Sequence, residues 1–87
     1  MFSGSWRFEE VFARNLRAAR QAKGLSQEEL AHRADIDRTY ISSLERSVYN
    51  ASIDVVDRLA TVLGIEACEL LKRPPRESQM PTTELDA

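Results

Sequence analysis

The sequence predicts a small all-α domain of five short helices, and three observations carry that reading. Apolar residues recur every three or four positions through successive stretches, which is the helical period rather than the strand period. Most stretches open on a capping residue, as at Ser26, Asp37 and Ser52, and two of them close on a glycine, Gly24 and Gly64. No strand-like alternation of useful length and no internal repeat is present. The 87 residues allow one domain, and 43% apolar with 30% charged side chains describes an ordinary soluble globular chain.

In chain order, residues 1–7 are expected to be loose, although Phe2 and Trp6 would want cover. Phe8, Val11, Phe12, Leu16 and Ala19 place a first amphipathic helix over residues 8–22, with Gly24 after its last turn. Ser26 and Glu29 form a capping box for a second helix, and Leu25 and Leu30 stand at the spacing of a hydrophobic staple. Leu30, Ala31 and Ala34 are its apolar face. Asp35-Ile36-Asp37 interrupts the pattern, and Asp37 caps a third helix beginning at Arg38. Ile41 and Leu44 give that helix one apolar stripe, while Arg38, Thr39, Ser42, Ser43 and Arg46 make its other faces polar. Two short helices joined by a tight turn with one apolar residue, the second helix polar outside, is the layout of a helix-turn-helix. In that motif the second helix enters the major groove of DNA.

After a loop over residues 47–51, Ser52 caps a fourth helix with Asp54 in its first turn, where the helix dipole favours an anion. Gly64 ends it, and Ile65 supplies the apolar contact that accompanies such an end. This helix is apolar over a wide arc: Val56, Ala60 and Leu63 make one face, and Val55, Leu59 and Val62 an adjacent one. So wide an arc suits a central core helix, and the alternative is that part of the second face, with a fifth helix over residues 66–72 carrying Leu70 and Leu71, meets a partner subunit. Pro74-Pro75 stops the fifth helix. The domain therefore spans residues 8–73, and residues 74–87 are expected to form a disordered tail.

Charge does not by itself suggest nucleic acid. The net charge is −2. Residues 1–23 hold five basic and two acidic residues, the helix-turn-helix is acidic on balance, and the tail after Arg76 holds three acids. No run approaches the ~20 apolar residues that cross a membrane, and MFSGSWRFEE lacks the pattern of a secretory signal. A single cysteine, Cys68, excludes an internal disulfide and fits a reducing cytosol, so a cytoplasmic protein is expected. His32 has no partner at metal-ligand spacing, and no metal site is expected. No nucleophile–base pair, phosphate loop or paired carboxylates can be assembled, so the chain reads as no enzyme and needs no cofactor or small-molecule ligand.

The segments Arg20, Gly24-Leu25-Ser26-Gln27-Glu28-Glu29-Leu30-Ala31, Thr39-Tyr40-Ile41-Ser42, Leu44-Glu45-Arg46, Ser52, Leu59-Ala60 and Leu63-Gly64-Ile65 together resemble the Cro and lambda-repressor type of helix-turn-helix protein. The likeness is strongest to small single-domain members such as restriction-modification controller proteins. It covers roughly residues 8–72 and implies a compact five-helix DNA-binding domain with the motif at helices two and three. It further implies that Gln27 bonds a phosphate, that Arg38, Thr39 and Ser43 face base edges, and that Ser42 and Arg46 lie near the sugar-phosphate backbone. Arg17 is a further phosphate candidate, and Arg20 with Glu45 forms an ion pair between helices one and three. Tyr40 either packs against Val48-Tyr49 or offers its hydroxyl to a phosphate. Arg38 is telling on physical grounds too, because a cation in the first turn of a helix opposes the dipole and structure alone gives little reason for it.

Three positions depart from the family. Asp35 replaces the usual glycine of the turn, Ser47 the glycine after Glu45-Arg46, and Ala51 the proline before the fourth helix. Aspartate tolerates the left-handed conformation, so the turn should survive. One recognition helix reaches only a few base pairs. A homodimer on a palindromic site is therefore expected, with recognition helices about 34 Å apart and an interface at Val55, Leu59, Val62, Ile65 and Leu70. The alternative is an antitoxin-like or protein-interaction module built on the same fold.

Overall fold

A computed structural model describes residues 7–48 and 50–73. The expected loose segment (Arg7 apart), Tyr49, Pro74-Pro75 and the expected tail lie outside the described residues. Five helices follow one another: α1 (Phe8–Ala22), α2 (Gln27–Ala34), α3 (Arg38–Glu45), α4 (Ile53–Leu63) and α5 (Ala67–Leu71). The described residues contain no strand.

Local chemistry sets the helix starts. The Ser26 hydroxyl accepts the Glu29 N–H at 3.0 Å and the Glu29 carboxylate accepts the Ser26 N–H at 2.9 Å, closing the expected capping box of α2. Asp37 and Ser52 cap α3 and α4 by accepting the N–H groups of Thr39 and Val55. The helix ends share one geometry. In α1 to α4 the residue after the last turn is left-handed: Gly24 (φ 75°), Asp35 (φ 60°), Ser47 (φ 62°) and Gly64 (φ 71°). The N–H of each next residue (Leu25, Ile36, Val48, Ile65) reaches back to the carbonyl five residues earlier, at 2.9–3.1 Å. This double closure is the Schellman motif.

α1 packs on α3 and α5, α2 on α3 and α4, and α4 on α5. Between them lies one core: Phe12 and Leu16 of α1, Leu30, Ala31 and Ala34 of α2, Ile41 and Leu44 of α3, Val56, Leu59, Ala60 and Leu63 of α4, and Leu70 of α5, with Leu25 from the first turn. Each fully buried leucine contributes about 1.5–3 kcal/mol by leaving water.

The core corrects two residues of the expected dimer surface. Leu59 and Leu70 are both 0% exposed inside a single chain and have nothing left for a partner. Val55, Val62 and Ile65 are half-buried and packed against the same core. The large apolar residue that α4 does expose is Ile53, 88% accessible, on the opposite flank of the buried arc. It borders a groove shared with Asp54, Val56, Asp57, Ala67 and Leu71. Periodicity shows which residues share an arc, but not how much of the arc a short α5 covers.

α5 is one residue shorter at each end than the expected 66–72, with Glu66 as its N-cap residue. Five residues cannot sustain a helix alone. Asn15 of α1 supplies the missing partner: its Nδ2 donates to the carbonyls of Leu70 (2.9 Å) and Lys72 (2.7 Å). Arg73 then lies over the Phe8 ring, 5.9 Å from its centre. The chain thus leaves the domain fastened to α1.

Candidate nucleic-acid interface

α3 is amphipathic in a way that divides its residues cleanly. Ile41, Leu44 and Glu45 point inward and are buried. Arg38, Thr39 and Arg46 are exposed and Ser42 is half-buried. At 100° per residue, positions 38, 42, 46 and 39 occupy one continuous arc, so they form a polar strip along the outside of the helix. The guanidinium of Arg46 folds back on the strip, its Nε donating to the Ser42 carbonyl at 3.3 Å. Arg38 and Thr39 stand at the free N-terminal end.

Two of the expected contact residues behave differently. Ser43 is only 6% exposed, at the edge where the outer arc turns inward. Its carbonyl also accepts the Val48 N–H that closes the helix end, at 3.0 Å. The expectation that Ser43 faces base edges is therefore corrected: it is a small residue that lets the chain after α3 close down on the helix. Tyr40 is half-buried and packed against the core.

The inner end of α3 is held by a polar cluster. Glu45 is 3% exposed, a carboxylate that would be costly to bury unpaired. Arg20 grips it with a fork, Nε to Oε2 at 2.7 Å and NH2 to Oε1 at 3.0 Å, and donates NH1 to the Leu25 carbonyl at 2.8 Å. The expected Arg20–Glu45 ion pair is thus present in bidentate form. The hydrogen bond to Glu45, outweighing burial, raises the Arg20 pKa above its ordinary value, so this arginine stays charged. Two further partners join. Gln27 Nε2 donates to Glu45 Oε1 at 3.0 Å, and Arg17 NH2 donates to the Glu45 main-chain carbonyl at 3.1 Å. Helices α1, α2 and α3 therefore meet at one side chain. Gln27 and Arg17 are phosphate candidates in the sequence. Their tie to Glu45 is a long-range contact with no local sequence signal.

The turn between α2 and α3 is anchored from outside. Asp35 is left-handed as the turn requires, and its carbonyl accepts Arg58 NH1 at 3.4 Å. Arg58 in turn pairs with Asp54 at 3.2 Å. Among the described residues, no group of three His, Cys, Asp or Glu side chains could hold a metal ion, and no helix is long and apolar enough to cross a membrane.

Known proteins share this arrangement. A helix-turn-helix family profile matches residues 16–70. A hypothetical transcription factor of Neisseria meningitidis is 40% identical over 76 residues, covering 87% of this chain and 72% of that protein. The control protein C.BamHI of Bacillus amyloliquefaciens is 39% identical over 62 residues, 70% of this chain and 76% of its own. Among solved structures, the restriction-modification controller protein C.AhdI from Aeromonas hydrophila superposes with a TM-score of 0.69 at 45% identity, covering 71% of this chain and 94% of its own. The biofilm regulator SinR in complex with DNA superposes at 0.68 with 32% identity, covering 70% of this chain and 98% of its own. With α2 and α3 forming the motif, a matched profile spanning most of the five helices, and relatives that are transcription regulators rather than enzymes, the chain belongs to the helix-turn-helix family of transcriptional regulators, of the Cro and lambda-repressor type.

Proposed function

We propose that the chain is a sequence-specific regulator that binds double-stranded DNA as a homodimer on a palindromic operator, with α3 in the major groove. The observation that carries this reading is the outer strip of α3, where Arg38 and Thr39 are exposed on a helix whose other side is locked into the core. Arg38 suits a bidentate contact to guanine O6 and N7, and Thr39 a thymine methyl or a phosphate. Ser42 and Arg46 follow along the strip toward the sugar-phosphate backbone. Gln27 and Arg17, beside the other end of α3, suit phosphates, which position a protein without selecting sequence. The neighbour SinR, solved with DNA, supports the same use of the fold.

The dimer half of the proposal moves to the groove between α4 and α5. Ile53, Ala67 and Leu71 offer apolar surface there, and a domain of this size gains from covering it. A second copy placed on this groove gives the two half-sites that operator specificity needs.

Selection of bound sequences from random duplex DNA, with the wild type and Arg38→Ala in parallel, tests the reading. The expected product is an inverted repeat with half-site centres about one helical turn, ~34 Å, apart. Arg38→Ala should cost ~1–3 kcal/mol and relax one position per half-site. An equal loss on all sequences would remove Arg38 from the reading residues. A folded wild type that enriches no sequence would refute the operator and leave a protein-interaction module.

A further inference from the structure

Glu45 has a second task if the chain binds DNA as proposed, and the inference rests on that reading. We infer that Glu45 is a positioning residue that aims Gln27 and Arg17 at the DNA backbone, so that phosphate contact and recognition-helix placement are set by one carboxylate. Its side chain is 1% exposed, and it cannot touch DNA itself. A carboxylate only accepts, so the Gln27 amide must turn its nitrogen toward Glu45, and the oxygen–nitrogen ambiguity of a glutamine is resolved. One of the two Nε2 protons is committed to Glu45. The other leaves the same nitrogen in a fixed direction and is available to a phosphate oxygen. Gln27 is the first residue of α2 and half-buried, so its side chain is held at the surface without being free to swing.

Arg17 is treated similarly. Its NH2 is bound to the Glu45 carbonyl, its Nε stands 3.8 Å from Glu45 Oε1, and its side chain remains 52% exposed. Two arginines around one carboxylate leave one positive charge in excess at the meeting point of the three helices. Arg20, 13% exposed and forked onto Glu45, neutralises the carboxylate, and Arg17 carries the excess toward solvent. An exposed cation and an oriented N–H, both fixed to the last residue of α3, suit a phosphate group of a duplex whose bases the front of the same helix reads.

A double-mutant cycle on affinity for a mixed-sequence DNA duplex at low salt tests this, with Gln27→Ala, Glu45→Gln and the double variant. A glutamine at 45 has one acceptor oxygen for three donated bonds, so it cannot hold both Arg20 and Gln27 as the carboxylate does. Gln27→Ala should weaken binding roughly 10- to 100-fold, in the range of one lost hydrogen bond to a charged group. Glu45→Gln should weaken it comparably, although it removes an acid, and the double variant should be no worse than the weaker single one. Simple charge reasoning expects the opposite for Glu45→Gln, namely tighter binding. Tighter binding, or losses that multiply in the double variant, would overturn the inference while leaving DNA binding intact. A wild type that binds no duplex would remove both. Melting of each variant reports the fold separately. Should Glu45→Gln fail to fold, the wild-type side-chain amide of Gln27 decides by NMR. One Nε2 proton protected from exchange with water by Glu45, and the other shifting on addition of the duplex, are expected. Two protons that exchange with water equally fast, or an amide indifferent to the duplex, would overturn it.

Discussion

The ends of α1 and α4 and the ends of α2 and α3 have the same shape and different chemistry. All four close with paired backbone hydrogen bonds around a left-handed residue. At α1 and α4 that residue is Gly24 or Gly64, which takes a positive φ without a steric cost. At α2 and α3, the two helices of the DNA-binding motif, it is Asp35 and Ser47, which carry a Cβ that the conformation crowds, although aspartate tolerates it better than serine. The closing residue also differs. Leu25 is 8% exposed and in the core, and Ile36 and Ile65 are packed against it, whereas Val48 after α3 is 55% exposed. The geometry of a helix end is thus set by its hydrogen bonds, and the residue occupying it decides only how much strain the end carries. The motif carries more of it than its scaffold does, and α3 is held at that end by Arg17 and Arg20 on Glu45 instead of by a buried apolar closure.

The largest effect that can break this comparison comes from the closing residues themselves. Leu25→Ala should cost ~2–5 kcal/mol, because it empties a site in the core. Val48→Ala should cost less than about 0.5 kcal/mol, as for a surface substitution. Chemical denaturation of the two variants separates them. Equal losses would mean that Val48 closes its helix as Leu25 does, and that the two ends do not differ.

What was legible in the sequence follows the same division between local and distant partners. The capping box of Ser26 and Glu29, the caps Asp37 and Ser52, and the glycine ends lie within a few residues of the helices they bound, and all stand where the spacing placed them. The outer strip of α3 was legible because a period of 3.6 separates Arg38, Thr39, Ser42 and Arg46 from Ile41 and Leu44. Ser43 sits where the two arcs meet, and only the path of the chain after α3 decides its burial. Asn15 capping α5 from 55 positions away, and Gln27 reaching Glu45, are products of packing that no local pattern announces. Leu59 and Leu70 went to the core for the same reason, since a helix cannot show from its own sequence how closely its neighbour fits.

A smaller pair of substitutions sharpens the contrast at the left-handed positions. A Cβ built on Gly64 meets no atom within 4 Å, so Gly64→Ala tests backbone strain with no clash added. It should destabilise by about 1 kcal/mol, the left-handed penalty less the entropy that alanine removes from the unfolded chain. Ser47→Gly should act in the opposite direction, stabilising by about 0.5–1 kcal/mol. Thermal melts at one pH measure both. If Ser47→Gly is neutral or destabilising, its hydroxyl offsets the strain, and the motif's end is no more strained than those of the scaffold.

The smallest effect concerns the opposite end of α2. Glu29 lies in the first turn, where the helix dipole favours an anion, whereas Asp35 lies after the last turn, where the dipole opposes one. The hydrogen bond from the Ser26 backbone, with lesser help from the Ser26 side chain and Arg33, holds the Glu29 pKa below the usual carboxylate range. A group whose folded pKa is depressed adds stability that is fully present above its unfolded pKa and is lost as pH falls through the folded value. Glu29 therefore stabilises the domain at neutral pH and ceases to do so on the acid side. Glu29→Gln keeps an oxygen to accept the Ser26 N–H but cannot titrate. The wild type should be the more stable protein at neutral pH, with the two melting curves converging as pH drops below the carboxylate range. A gap that stays constant through acid pH would assign the capping box's contribution to hydrogen-bond geometry alone. The charge at the front of α2 would then matter no more than the unfavourable one at its back.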